Sequence, residues 1–431
     1  MTRCKSGTNS RRDPSNGYVH KPNKLKSCVD TYGHRGQARS HRRYVVVPRP
    51  VAKPSFICIR LAGLNAPECL SMVKGLLSVA LLLFTATAHA QTWPTKDWSQ
   101  GPQLAGPAVK ALEDYAFPAR NDITREGIRT DALLVIRDGA VIYERYAAPT
   151  TATTPHLTWS ISKSLMATVL GVAYGENRFK LSDPAARFYP PMKQHPTITL
   201  GHLLNWASGL DWQEDYEYAP LKSSVVAMLY TRGRADMAEF AADTSPFAEP
   251  GQAFRYSSGD SNLLSAALKG MLGHKAYVDY PWTALFTPLG IRSASWESDA
   301  NETFVASSYA YMTARDLARI GLLMARDGRW GERQLLPKAW VDFNRQPLAQ
   351  YIAGQDEAVP GGHWWLNRHV QGAARPWPDA PGDTFAALGH WGQALYVLPE
   401  AQLVIVRYGD DRDGSYRHNE LLKRVLAAVQ P

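Results

Sequence analysis

The chain has 431 residues and a formal net charge of +9, but the positive charge is concentrated near its N-terminus. Residues 1–71 hold fourteen Lys or Arg against three Asp or Glu, together with all four cysteines. Residues 91–431 hold 33 Lys or Arg against 36 Asp or Glu and no cysteine, a formal charge of −3. The basic excess therefore does not support nucleic-acid binding by the main part of the chain. Its 341 residues can bury a large core without disulfides.

Residues 71–91, SMVKGLLSVALLLFTATAHAQ, have the pattern of a secretory signal peptide. Lys74 supplies a positive charge, an apolar run follows from 76 to 84, and small residues end at Ala90. The run is far shorter than the ~20 residues that span a bilayer, which argues against a membrane anchor. We therefore expect cleavage after Ala90, no stable membrane insertion afterwards, and a periplasmic or secreted protein.

Met72 is placed to start this signal peptide, which is then predicted to occupy residues 72–90. Residues 1–71 are interpreted as an over-long gene model. The alternative is a disordered basic leader.

The first elements of the main segment are predicted from apolar periodicity and turn residues. A helical pattern covers 106–119, and two apolar runs over 132–147 flank Asp138-Gly139, a hairpin signal. From residue 160 to about 290 the chain is predicted to be mostly helical. Within that region Thr199 is expected to cap a helix over 200–208 that Gly209 ends, and a second helix is predicted over 260–272.

In the last third of the chain the period of the hydrophobic residues changes from helical to strand-like. Thr313 to Asp316 is predicted as a capping box for a helix, and a final helix covers 419–429. Strands are predicted over 363–367, 389–399 and 402–409, the last two as a hairpin around Pro399-Glu400.

Strands near both ends with helices between them predict an α/β (α+β) fold for residues 91–431 as one domain. Its antiparallel sheet would be built from both chain ends and flanked by helices, with an inserted, mostly helical region at about 165–290.

The stretch TWSISKSLMATV, 158–169, places Ser160 and Lys163 three residues apart at the start of a predicted helix, hence on one face. A serine hydroxyl is a poor nucleophile until a base takes its proton. Lys and Tyr have ordinary pKa values of ~10.4 and ~10, so neither is a useful base at neutral pH unaided. A Tyr beside a Lys ammonium would have a lowered pKa, and Tyr256 precedes a predicted helix. The Ser-x-x-Lys spacing alone does not identify a catalytic pair, since SMVK at 71–74 has the same spacing.

Three segments in this order, Ser160-x-x-Lys163, Tyr256-Ser257-Ser258 and His390-Trp391-Gly392, resemble motifs of the serine β-lactamase and penicillin-binding-protein superfamily. The similarity extends to ITLGHLLNWASGLDWQEDY and to TARDLARIGLLMARDGRWGERQLLPKAWV, and covers nearly all of 105–428. Within this superfamily the chain is most similar to class C-like esterases and amidases, especially 6-aminohexanoate-dimer hydrolases. The resemblance implies a β-lactamase/transpeptidase-like fold.

The resemblance also implies roles for individual residues. Ser160 would be the acylated nucleophile, and Lys163 would assist its deprotonation and hold Tyr256 near its phenolate state. Tyr256 would pass the proton to the leaving group and later activate water. The backbone N–H groups of Ser160 and Gln393 would form the oxyanion hole, and losing one such donor typically costs ~10²–10³ in rate.

Two departures from the superfamily pattern bear on the substrate. Ser258 stands where Asn is more common, as in the nylon-dimer-type relatives. His390-Trp391-Gly392 replaces the Lys-Thr-Gly that helps bind the β-lactam carboxylate. We therefore expect weak β-lactam hydrolysis and a compact ester or amide as substrate.

Each binding residue also has a structural alternative. His390 could be a satisfied core histidine, and Trp391 could pack beneath the sheet beside Gly392. Tyr216, which by resemblance could reach the leaving group, follows the loop acids Asp211, Glu214 and Asp215, which are usually solvated.

The prediction is an exported serine hydrolase that cleaves a small ester or amide through an acyl-enzyme, with no metal, cofactor or nucleic-acid partner. The eight histidines of 91–431 lack HxHxD or HExxH spacing, and no GxSxG elbow occurs. The alternatives are a D-Ala-D-Ala carboxypeptidase or weak class C-type β-lactamase, and a catalytically silent binding or sensor domain. The sequence does not predict the oligomeric state.

Overall fold

The computed structural model describes residues 92–349, 351, 359–370 and 374–430. The predicted leader and signal peptide lie outside the described residues. An eight-stranded sheet occupies the centre of the described chain, in the order β1-β3-β2-β13-β12-β11-β10-β9. Only its β1–β3 pair is parallel. Its strands are β1 Ser99–Gln100, β2 Thr130–Arg137, β3 Ala140–Tyr146, β9 Val359–Pro360, β10 Trp365–Leu366, β11 Phe385–Gly389, β12 Gln393–Leu398 and β13 Leu403–Gly409.

The order confirms that both ends of the segment build one mostly antiparallel sheet, because β2 pairs with β13. The hairpin predicted around Asp138-Gly139 is also confirmed, and both turn residues have positive φ, 52° and 83°. Such a turn suits Gly at its second position. The hairpin of β12 and β13 is confirmed as well.

Helices cover both faces of the sheet, so its central strands are buried on both sides. In β2, Leu133 packs with helices α1 and α11 on one face, whereas Leu134 packs with α2 and α9 on the other. This alternation follows from the two-residue period of a strand. These helices are α1 Pro107–Ala116, α2 Ile161–Gly175, α9 Ala314–Ala325 and α11 His418–Val429.

The predicted helical insertion is observed between α2 and residue 289. Its other α-helices are α3 Leu200–Leu204, α4 Ser224–Tyr230, α5 Met237–Ala242, α6 Ser258–Leu272, α7 His274–Tyr277 and α8 Thr287–Leu289, and α10 Lys338–Asn344 follows α9. Thr199 caps α3 through a reciprocal capping box with His202. The helix predicted over 200–208 is too long, since α3 ends at Leu204 and the chain turns before Gly209.

Two strand predictions near the C-terminus are wrong in extent. The segment 389–399 is not one strand, because β11 ends at Gly389 and β12 begins at Gln393. Trp391 and Gly392 between them have φ values of 58° and 83°, which a strand cannot accommodate. Of the strand predicted over 363–367, only β10 forms, since His363 also has a positive φ.

Thr313 caps α9 as predicted by accepting a hydrogen bond from the backbone N–H of Asp316. The reciprocal half of the capping box is absent between these two residues, because the Asp316 carboxylate accepts hydrogen bonds from the Arg292 and Ser293 backbone instead.

Two small sheets complete the described fold. β4 His156–Leu157, β5 Ser295–Trp296 and β6 Ala310–Met312 form one, and β7 Arg329–Trp330 pairs with β8 Arg333–Gln334. Within the described ranges, none of the helices combines the length and apolar character needed to cross a membrane.

Candidate active site

Ser160 lies at the N-terminus of α2, where hydrogen bonds tie the chain to the β6 segment. The Thr158 hydroxyl donates to the Ala310 carbonyl at 2.8 Å, and the Ser162 hydroxyl donates to the Ser308 carbonyl at 2.7 Å. Trp159, between them, has a φ of 49°. This fixed, strained turn holds Ser160 half-buried at the first turn of the helix.

Lys163 lies directly beside the Ser160 hydroxyl, as the three-residue spacing predicts. Its Nζ is 2.9 Å from Ser160 Oγ and donates to the Ser307 carbonyl, also at 2.9 Å. The side chain is 1% exposed. Burial lowers the pKa of Lys163 to about 8, although the Glu214 carboxylate partly opposes that shift. A neutral amine is therefore accessible within about a pH unit of neutrality.

Tyr256 reaches the same point from the loop before α6. Its ring packs against Trp206 and Trp365, with centroids 4.9 and 5.4 Å away. Lys163 Nζ lies 4.8 Å from the centroid of the Tyr256 ring, and the Tyr256 hydroxyl is within hydrogen-bonding range of Ser160. The hydroxyl, amine and phenol therefore come together although Tyr256 is 96 residues from Ser160 in the sequence.

The ionisation of Tyr256 differs from the expected phenolate. Burial, and then the negative charge of Glu214, raise the pKa of Tyr256, and the contact with Ser160 only partly offsets them. Lys163 is not among the causes of this shift, so the expected lowering of the Tyr256 pKa by a Lys163 ammonium is not found. The protonated phenol is therefore the favoured form of Tyr256 in the free site.

A cavity of about 470 Å³ opens over this group. Its size is within the usual range for small-molecule sites. Its walls combine carboxylates, aromatic rings and the end of β11. The lining residues are Ser160, Glu214, Tyr216, Glu217, Tyr256, Trp365, Leu388, Gly389 and His390.

The third motif borders the cavity through its first residue. His390 Nε2 is 2.9 Å from the Glu217 carboxylate, and the Tyr216 ring stacks on the His390 imidazole at 5.1 Å. Burial lowers the pKa of His390 despite the carboxylates of Glu217 and Glu214. This lowering favours the neutral imidazole, and Tyr216 and His390 both line the cavity.

The approach of β11 to the nucleophile depends on Gly389. A Cβ at this position would lie 2.4 Å from the Thr158 carbonyl oxygen and 3.2 Å from Trp159 Cβ. Only a residue without a side chain lets the end of β11 pack this closely against the turn that carries Ser160.

Trp391, Gly392, Gln393 and Ser258 are outside the cavity lining. Trp391 packs edge-on against Trp159 at 5.1 Å. The buried Gln393 side chain donates to the His390 carbonyl at 3.0 Å and accepts from the Gly409 N–H at 3.0 Å, which holds the motif's turn in place. Roles of these four residues toward substrate stay predictions.

Glu214 is a site residue that the sequence interpretation assigned to the solvated loop acids. Its carboxylate accepts from the Ser258 hydroxyl at 2.5 Å and from the Ser258 N–H at 2.9 Å, and it lies 4.0 Å from Lys163 Nζ. Asp211, by contrast, is exposed and pairs with Arg255. Nothing local distinguishes these two acids, because the Ser258 contact joins positions 44 residues apart.

The described residues contain no group of three or more His, Cys, Asp or Glu side chains placed to hold a metal ion.

Comparison with known proteins agrees with the motifs. The profile of the beta-lactamase family matches residues 110–429. The chain belongs to the beta-lactamase family. A 6-aminohexanoate-dimer hydrolase of Paenarthrobacter ureafaciens is 27% identical to this family member over 311 residues, which cover 67% of this chain and 74% of that protein.

Solved structures of the family share the fold. A Bacillus anthracis protein assigned as a 6-aminohexanoate-dimer hydrolase has a TM-score of 0.59 at 20% identity, covering 78% of this chain and 88% of that one. EstCE1, a hydrolase with promiscuous acyltransferase activity, has a TM-score of 0.59 at 17% identity, covering 75% and 98%. The predicted family and the β-lactamase/transpeptidase-like fold are therefore confirmed, and relatives within the family are named as hydrolases.

Proposed function

We propose that this family member is a serine hydrolase that cleaves a small ester or amide through an acyl-enzyme on Ser160. The observation that carries the proposal is the contact of Lys163 Nζ with Ser160 Oγ at 2.9 Å, with Tyr256 in range, beneath an open cavity. A nucleophile, a base and an acid would then all lie within reach of one bound substrate.

Acylation begins when neutral Lys163 accepts the Ser160 proton. The Ser307 carbonyl takes one amine hydrogen, which helps direct the lone pair of Nζ at Ser160 Oγ. The oxygen attacks the substrate carbonyl carbon, and the negative charge that forms on the carbonyl oxygen faces the backbone N–H groups of Ser160 and Gln393.

The leaving group departs with a proton. The tetrahedral intermediate collapses by breaking the C–O or C–N bond, Tyr256 protonates the departing oxygen or nitrogen, and Lys163 restores the Tyr256 proton. Water then attacks the acyl-enzyme as these proton transfers run in reverse. Lys163 takes the Tyr256 proton, Tyr256 takes a proton from the water, and Lys163 returns a proton to Ser160 as the acid departs.

The size of the cavity and the names of relatives support this substrate class. A volume of about 470 Å³ admits a small molecule. Relatives named as a 6-aminohexanoate-dimer hydrolase and as EstCE1, a hydrolase with acyltransferase activity, support acyl transfer from amides or esters.

The decisive experiment combines a fluorophosphonate probe with p-nitrophenyl butyrate and nitrocefin. We expect probe labelling and ester turnover in the wild type and little nitrocefin turnover. Both activities should be lost in Ser160→Ala and retained in Ser298→Ala, which alters an exposed serine away from the cavity.

Three results would contradict the proposal. Labelling that persists in Ser160→Ala would show a different nucleophile. Labelling without turnover of any substrate would favour a silent sensor domain, and fast nitrocefin turnover would favour a β-lactamase.

The signal-peptide pattern at 72–90 supports the further proposal that the enzyme acts outside the cytoplasm, in the periplasm or the medium. Mass spectrometry of the protein from its native host should find Gln91 at the N-terminus in the exported fraction. A cytoplasmic protein that retains residues 72–90 would contradict export.

A further inference from the structure

The Glu214 carboxylate is held where the two catalytic segments meet. Besides the two hydrogen bonds from Ser258, it accepts one from the indole N–H of buried Trp212 at 2.5 Å. Three donors directed at one carboxylate fix its position. Ser258 is two residues from Tyr256, so this clamp also holds the Tyr256 loop against the loop that bears Glu214.

The same carboxylate is the negative charge that faces Lys163. Its oxygen is 4.0 Å from Lys163 Nζ, and the Glu214 side chain is only 14% exposed, so solvent screens the pair weakly. Other titratable groups face this pair. Tyr256 is uncharged because its pKa is raised mainly by burial. Asp260, whose pKa burial raises to about 7, interacts with Glu214, and His363 interacts with Lys163. Burial lowers the pKa of His363 to about 3, so the imidazole is neutral at working pH.

We propose that Glu214 is a positioning residue of this reaction: it clamps the Tyr256 loop through Ser258 and stabilises the Lys163 ammonium that forms when Ser160 gives up its proton. The inference rests on the proposed function. A buried ammonium without a counter-charge is costly, so a carboxylate at this distance lowers the barrier to proton transfer.

The direction of the pH effect follows from the sign of the charge. A carboxylate favours protonated Lys163 and so raises the pH at which the neutral base appears. Removing the charge therefore moves the acid limb of the kcat/KM profile to lower pH, while the pH-independent maximum falls because the ammonium formed during acylation is less stable.

The test compares Glu214→Gln with wild type, using p-nitrophenyl butyrate over a range of pH. We expect the acid limb to move down by about one pH unit and the maximum to fall at least about tenfold. Asp211→Asn is the matched control, since it removes a charge from the same loop at an exposed residue outside the cavity, and its acid limb should not move.

Two further variants separate charge from position. Ser258→Ala removes the hydroxyl but keeps the Glu214 charge, so it should lower the maximum without moving the acid limb. Glu214→Asp withdraws the carboxylate by one methylene, so its acid limb should lie between those of wild type and Glu214→Gln.

An acid limb that stays in place in folded Glu214→Gln would overturn the inference, because a purely structural residue would lower the rate without moving that limb. Should Glu214→Gln fail to fold, an unmoved limb in Glu214→Asp overturns it equally. If wild type is not labelled at Ser160, the proposed function itself fails, which the probe experiment reveals independently.

Discussion

Burial moves the pKa values of the two partners of Ser160 in opposite directions. It lowers the pKa of Lys163 to about 8 and raises the pKa of Tyr256. Both shifts disfavour the charged form, which for Lys163 leaves an amine that can accept a proton and for Tyr256 a phenol that can donate one. In the proposed mechanism, burial would thus divide the base and acid roles between two residues that are ordinarily both protonated at neutral pH.

This division predicts that the effect of Tyr256→Phe depends on the leaving group. An alkoxide or an amine leaves poorly without a proton, whereas p-nitrophenolate leaves readily without one. We expect Tyr256→Phe to lower kcat/KM, which reports acylation alone, on an ethyl ester or simple amide by about 10²–10⁴, the usual range for general acid catalysis. The loss on the matching p-nitrophenyl ester should be about tenfold or less.

The two substrates serve as internal controls, because misfolding or a displaced Ser160 would reduce both rates alike. Initial rates on the ethyl and p-nitrophenyl esters of the same acid provide the measurement. Equal losses on both esters would rule out Tyr256 as the acid for the leaving group.

At the scale of elements, the sequence predicts well what neighbouring residues determine. The Ser160–Lys163 contact depends on the i to i+3 spacing at the N-terminus of α2, and the β2–β3 hairpin depends on the Asp138-Gly139 turn. Tyr256 is placed by its position just before α6, whose first turn Ser257 caps. The first two features are encoded within a few positions of the chain, whereas the approach of Tyr256 to Ser160 joins positions 96 residues apart.

The errors arise where distant packing overrides the local pattern. The apolar sequence after Gly389 favours a continuous strand, but Trp391 adopts a left-handed conformation and the chain turns back into β12. That turn is held by Gln393, whose side chain bonds to Gly409, 16 residues away. Glu214 was missed for the same reason, since its partner Ser258 lies on another element.

For the molecule as a whole, charge is distributed in a way that bears on substrate choice. Residues 91–431 have a formal charge of −3, and the cavity lining includes the carboxylates of Glu214 and Glu217. His390 stands where a Lys is common in β-lactamases, and burial lowers its pKa, so it adds little positive charge at pH 7. A substrate carboxylate therefore approaches mainly negative groups, whereas a neutral acyl chain does not.

We expect the enzyme to prefer p-nitrophenyl hexanoate over mono-p-nitrophenyl adipate, which has the same chain length with a terminal carboxylate. At low ionic strength kcat/KM for the anionic ester should be about tenfold lower, the effect of roughly 1.4 kcal/mol of repulsion. Because mobile ions screen exposed charges, the difference in kcat/KM between the two esters should become smaller in high salt.

Glu217→Gln should also reduce this difference, since the Glu217 side chain is about half exposed at the mouth of the cavity. Equal kcat/KM values for the two esters at low salt would show that the lining carboxylates do not select the substrate.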